Sequence, residues 1–300
     1  MRTHRKGLLE VGFASLCFGL IGLFGKEAFQ AGLSIGQLLT IRFGLAALVL
    51  GFFLFVLKRN ELVLPKKEFL ISAGLGVFGY TVFASLYFVA IDGVSIALAA
   101  LLLYTYPFWT VLFNAVLGER LRKEQWFGLA GASAGLIFLL WGQIEVQSLW
   151  AIGAGILSAI TYSLFVIISG RTLREVSSAG SGFWIILFAT IGLALLHRPD
   201  FSAMPSWSAS TWGIIFAIAL IGTVIPLVLI QSGLQKLTST QTALLCMLEP
   251  VMAALAGMIW LGEALSLRQI LGAVLVLGSL WLTQRSHSST LAPPAGSTEA

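Results

Sequence analysis

The residues whose types could do chemistry in this chain are few, and they lie deep inside apolar runs. Ser239 to Glu263 is one such run, with a single carboxylate, Glu249, set beside Pro250 near its middle. An acid at the centre of a membrane helix costs roughly 3 kcal/mol on insertion scales, so Glu249 must face protein or water rather than lipid. It can pair with a substrate ammonium group, carry a coupling proton, or tie its helix to a neighbour as a neutral acid. Arg42 lies eight residues into a second run, too deep for a loop charge, and either binds a substrate carboxylate or is anchored by carbonyls and interfacial water. Ser95 to Glu119 repeats the plan of the Glu249 run: a small, apolar start, a central Pro107 and a closing Gly-Glu, with Tyr106 where the other has Glu249. Around it stand Trp109, three residues on, and the stripe Tyr80, Phe83 and Tyr87. Together these predict an aromatic wall with a few phenol and indole contacts for an amphiphilic ligand. Tyr162, with Thr161 and Ser163, and Gln241 and Thr223 are further candidates for the cavity lining, although Ser and Thr in such helices often bond their own backbone. Pro107 and Pro250 are candidate hinges, because each removes a backbone donor and frees a carbonyl one turn earlier.

These groups need a membrane fold to position them. Of 300 residues 58% are hydrophobic and 10% charged, with a mean hydropathy of +0.94, against about a quarter charged in soluble domains. About 20 apolar residues per span give ten helices: Gly7–Phe29, Ser34–Leu57, Glu68–Ala90, Ser95–Leu117, Glu124–Trp141, Leu149–Ser169, Gly180–Leu196, Ser210–Ser232, Ser239–Leu261 and Leu267–Thr283. The basic start, Met1 to Lys6, belongs to the first helix rather than to a cleaved signal. Small residues such as Gly19, Gly22, Gly131 and Gly135 suit close helix packing. The tail, 285–300, is Ser-, Thr-, Ala- and Pro-rich and is expected to be disordered.

The charges orient the chain. With both termini cytoplasmic, only Lys26, Arg198 and Arg268 of the 18 Lys and Arg fall outside and Arg42 lies within a helix, leaving the rest on the cytoplasmic side, a strong positive-inside bias. The net charge of +5 is therefore topological, and no nucleic-acid partner is implied. Cys17 and Cys246 read as core residues, and His4, His197 and His287 are too scattered for a metal site, so neither a metal nor another cofactor is expected.

The two halves repeat. Gly79-Tyr80-Thr81-Val82 falls on Gly222-Thr223-Val224-Ile225 and Pro107 on Pro250, each 143 residues on, while Gly118-Glu119 and Gly128 fall on Gly262-Glu263 and Gly272 at 144. Because each unit has five helices, the second must enter the membrane upside down. The fold class is thus an all-α polytopic membrane protein of two inverted repeats, 1–142 and 147–284, with a substrate site at the midplane between them. Glu119 and Glu263 read as end caps beside loop glycines.

The arginine in the IRFGLAALVL run, the LGERLRKEQWFG segment after helix 4 and the Glu-Pro-Val and Leu-Gly-Glu of helix 9 resemble, in that order, the EamA family of the drug/metabolite transporter superfamily, with Phe18-Gly19 where a Trp-Gly is common. That resemblance implies export of metabolites, often amino acids, through a cavity between the halves, and broad facilitative export of this kind leaves Glu249 a structural or weakly electrostatic role. One acid and one arginine for the ends of a zwitterion fit an amino-acid exporter of the inner (plasma) membrane, acting on a small molecule in the lipid bilayer, with a monomer as the expected state. A proton-coupled multidrug or lipophilic-cation exporter is the alternative. An intramembrane enzyme is remote, since no nucleophile–base set lies at depth, and no ring of repeated polar residues marks a channel.

Overall fold

The computed structural model describes residues 2–119, 122–141, 146–202, 204–262 and 264–289. Eight helices are long and apolar enough to cross a membrane: α1 (Thr3–Gln30), α2 (Ile35–Leu57), α3 (Lys66–Gly93), α4 (Ile96–Val116), α6 (Leu149–Thr172), α7 (Ser178–His197), α8 (Ala209–Leu234) and α9 (Ser239–Trp260). Two shorter ones, α5 (Lys123–Leu139) and α10 (Leu267–Thr283), have 17 residues each in these ranges. They match the remaining two expected spans in position and lie at the short limit for crossing. α5 and α10 pack along each other on glycine. A Cβ on Gly272 would stand 2.5 Å from the Gly135 carbonyl oxygen, and one on Gly131 would stand 2.2 Å from Ser279 Oγ, so only backbone fits there. Gly22, by contrast, has open space where a Cβ would go. It lies just beyond a turn at Leu20 that breaks α1, so it is not a packing glycine.

The main core joins the halves. It contains Val11 and Phe18 of α1, Phe43 of α2, Tyr80 of α3, Tyr106 of α4, Phe165 of α6, Ile186 of α7, Leu227 of α8 and Leu245 of α9. A second cluster ties α5 and α10 to α4 and α9 through Val111, Leu136, Met247 and Val276.

α3 and α8 each contain a π-helical turn, Leu75–Thr81 and Leu220–Val224. In both, a threonine hydroxyl donates to the carbonyl five residues back: Thr81 to Gly76 at 3.1 Å and Thr223 to Ile218 at 3.2 Å. The Gly-Glu pairs also have a backbone reason. Gly118 and Gly262 take left-handed φ values of 87° and 66° past the ends of α4 and α9, where glycine carries no Cβ penalty. The Glu119 N–H then closes on the Asn114 carbonyl at 2.9 Å, so its backbone forms the cap. Glu263 lies outside the described residues, as does Arg120. The last helix is described to Ser289, beyond the expected start of a disordered tail at 285, since Thr283-Gln284-Arg285 contains no helix breaker. Residues 290–300 lie outside the described range.

Candidate transport site

The site is built on two helices that break at matched places. α4 turns at Tyr104–Thr105 and α9 at Met247–Leu248, 143 residues apart. In each, the second half starts with a proline in its first turn, at Tyr106–Pro107 and Glu249–Pro250. Proline is tolerated there because the first-turn N–H would have no intrahelical acceptor, and its ring disfavours helical backbone in the residue before it. At the break in α4 the Thr105 hydroxyl caps the Leu102 carbonyl at 2.7 Å and receives the Trp109 indole N–H at 3.3 Å.

An aromatic cluster fills the space between the broken helices and α2, α3 and α6. Tyr80, 5% exposed, packs against Phe43, Phe83 and Phe165 with centroids 4.9, 5.2 and 5.7 Å away. Tyr162 lies 4.7 Å from Phe83 and 4.8 Å from Tyr106, and stacks nearly parallel on Phe165. Tyr106, 2% exposed, donates its hydroxyl to the Ala243 carbonyl of α9 at 3.3 Å, so this phenol joins the two breaks. Trp109 packs on Phe108 and Phe113, and Tyr87 sits beside Phe88.

Glu249 is half-buried, and the Tyr104 phenol lies within interaction range of its carboxyl group. Arg42, 9% exposed, lies close enough to feel the Glu249 carboxylate, but no ion pair of 4.0 Å or less joins them. The guanidinium rests 4.9 Å from the Phe43 ring centroid, and its Nε has no protein acceptor. An arginine with an unfilled donor and a carboxylate with no ion pair among the described residues, one from each half, thus lie beside an apolar aromatic space. Gly19 lets α1 come this close, since a Cβ there would stand 2.9 Å from the Glu249 carbonyl oxygen.

One end of the bundle is tied shut by polar side chains. Asn114 donates to Thr240 at 3.1 Å and accepts from Arg171 at 3.2 Å, Thr110 donates to Ser163 at 3.0 Å, and Arg174 donates to the Leu237 carbonyl at 3.0 Å. Ser239 to Cys246 are buried apart from Gln241. Beyond the breaks the pattern reverses: Ala100 to Leu103 and Leu248, Met252, Ala254 and Leu255 are all partly exposed. The bundle closes on the Asn114 side and loosens on the other.

Of the residues expected from sequence, the structure brings Arg42, Tyr80, Phe83, Tyr106, Tyr162 and Glu249 to this space. The hydroxyl of Thr223 is committed to the π-turn of α8, and that of Thr161 to the Leu157 carbonyl on an exposed face. Gln241 forms the capping box of α9 with Thr238. Tyr104 and Asn114 were not singled out. The signal for Asn114 was its side chain, an amide inside a span; for Tyr104 it was the doubled Tyr-Thr-Tyr before Pro107.

Comparison with known proteins gives the family and the fold. The sequence profile of the EamA-like transporter family matches twice, over residues 5–141 and 149–285. The chain belongs to this family of membrane transporters. It is 28% identical to an uncharacterized transporter of Archaeoglobus fulgidus over 288 residues, covering 95% of this chain and 98% of that one. It is also 28% identical over 213 residues to the threonine/homoserine exporter RhtA of Escherichia coli, covering 68% of each. A solved structure superposes with a TM-score of 0.79 at 20% identity, over 95% of this chain and 99% of the other, and supports the fold alone.

Proposed function

We propose that the protein exports small zwitterionic metabolites, amino acids foremost, across the inner membrane by alternating access between two inverted five-helix repeats. In this reading all ten helices cross and both termini are cytoplasmic. The reading rests above all on the pairing of Arg42 from the first half with Glu249 from the second, across an aromatic space at the two helix breaks. The guanidinium takes the substrate carboxylate, Glu249 with Tyr104 takes the ammonium group, and Tyr80, Phe83 and Tyr162 hold the apolar side chain. The partial exposure of Glu249 favours a group that meets substrate over a closed tie between helices. By the positive-inside rule the latched end with Asn114 and Arg171 is cytoplasmic, so this conformer faces outward. Pro107 and Pro250 then serve as the hinges about which α4 and α9 change their tilt. The named relative that exports threonine and homoserine supports the substrate class.

A proton-coupled exporter of lipophilic cations is the second reading, favoured by the single carboxylate among aromatic rings. Purified protein in liposomes, given a panel of labelled amino acids and aromatic cations with and without a pH gradient, separates the two. Gradient-independent flux of neutral amino acids is expected. Flux of cations alone, and only with the gradient, would overturn the proposal.

A further inference from the structure

Away from the centre, α2 and α7 leave a groove of about 740 Å³ on the outside of the bundle, lined by Gly44, Ala47, Leu48, Gly51, Phe52, Phe55, Phe183, Trp184 and Leu187 with few polar atoms. On its floor the Phe183 ring seats directly on Gly51, where a Cβ would approach it to 2.7 Å. Phe52, 72% exposed, stands on its rim. From Gly44 to Phe55 the groove runs about 16 Å along the helix, close to the roughly 15 Å of hydrocarbon in one leaflet. Its far end is basic. The guanidinium of Arg59 lies 5.1 Å from the Phe55 ring centroid, and Lys66 and Lys67 are exposed on the same connection. Glu61 does not neutralise Arg59, because its carboxylate is held by Lys58 at 2.7 Å and by the Ser177 hydroxyl. Arg59 makes no ion pair within 4.0 Å among the described residues. At the same level the Trp184 indole donates to the Leu62 carbonyl at 2.9 Å, the depth at which aromatic belts meet headgroups.

We infer that this groove is a binding site for an anionic phospholipid of the leaflet on the Arg59 side, with one acyl chain along Gly44 to Phe55 and the phosphate on Arg59. Leaflet-length apolar lining with an unneutralised guanidinium at the headgroup end matches a phospholipid at both of its ends.

The site is tested by reconstituting the full chain in phosphatidylcholine bilayers with a trace of phosphatidylglycerol or phosphatidylcholine that has a photoreactive tail, then mapping adducts by peptide. Phosphatidylglycerol is expected to label α2 and α7 at least 5-fold more than phosphatidylcholine does. Arg59→Gln should remove that preference, Arg59→Lys should keep most of it, and Gly44→Leu should reduce labelling by both lipids. Labelling of α5 and α10 in the same samples shows that each variant is folded. Equal labelling by the two lipids, full labelling in Arg59→Gln, competition by inorganic phosphate as effective as by phosphatidylglycerol, or crosslinks between copies through the Phe52 face would each overturn the proposal.

Discussion

α4 and α9 share a backbone and differ in chemistry. Both break at the same distance into their repeat, restart on a first-turn proline and end on a glycine with positive φ. At the residue before the proline, however, Tyr106 is closed and bonded to α9, whereas Glu249 is half-open and faces Tyr104. Arg42 is equally one-sided, for the matching position in α7 is Ile185. Duplication thus preserved the mechanical part, two helices that can bend, while the polar groups diverged. On the proposed function, one break works as a joint and the other as a contact to cargo.

The largest expected effect comes from removing the chemical half of that difference. Glu249→Gln keeps shape and hydrogen bonding but not charge, and losing a charged hydrogen bond to an ammonium group costs about 2 to 3 kcal/mol, roughly 30- to 150-fold in affinity. Zwitterion flux at low substrate should fall by that factor while thermal stability changes little. Near-normal flux would make Glu249 a structural tie like Tyr106 and erase the contrast.

Next comes the latch. Asn114→Leu removes two side-chain bonds, worth about 1 to 2 kcal/mol together, so opening on the Asn114 side should become roughly 5- to 30-fold more frequent. Hydrogen exchange of segments 110–116 and 239–243 measures it directly. Unchanged exchange there would mean that apolar packing, not Asn114, holds that end closed.

These two cases also show what could be read in advance. Prolines in apolar runs mark the breaks, and the depth of Arg42 and Glu249 marks the candidate site, because burying charge is costly whatever the fold. The Tyr-Thr-Tyr run does not tell which phenol meets the acid, because the alignment of repeats sets Tyr106 opposite Glu249. Only the turn at Tyr104–Thr105, which rotates one half-helix against the other, brings the earlier phenol to the acid. The break in α1 at Leu20 has no proline to announce it. It accompanies the contact of Gly19 with the α9 backbone, a tertiary effect that local propensity does not contain. The π-turns were equally hidden, since they depend on where Thr81 and Thr223 send their hydroxyls.

A smaller pair of effects compares two tyrosines of α4. Tyr106→Phe loses the bond to Ala243, and membrane hydrogen bonds of this kind average about 0.6 kcal/mol, so a slight loss of stability with near-normal affinity is expected. Tyr104→Phe should do the reverse and weaken substrate binding by severalfold at unchanged stability. Melting curves and uptake measured on both variants decide the matter. Identical behaviour of the two would show that the half-helices do not divide joint from contact.

The smallest effect lies at the rim, where the two repeats are tied outside the membrane. Glu61, in the connection after α2, accepts from Lys58 and from Ser177 in the connection before α7, and these hydrogen bonds hold its carboxyl below the usual carboxylate range. A depressed folded-state pKa means that this tie stabilises fully above the ordinary carboxylate value and is lost as pH falls through the lowered one. The side chain is 30% exposed, so screening should keep the contribution below about 1 kcal/mol. Between pH 7 and pH 3 the wild type should therefore lose slightly more thermal stability than Glu61→Gln, whose amide does not titrate, and Ser177→Ala should narrow that gap by restoring the Glu61 pKa toward normal. Parallel acid profiles of wild type and Glu61→Gln would mean that the Glu61 carboxylate adds nothing at this rim, and that the Trp184–Leu62 hydrogen bond and packing, including the close seat of Gly180 on the Glu61 backbone, hold it.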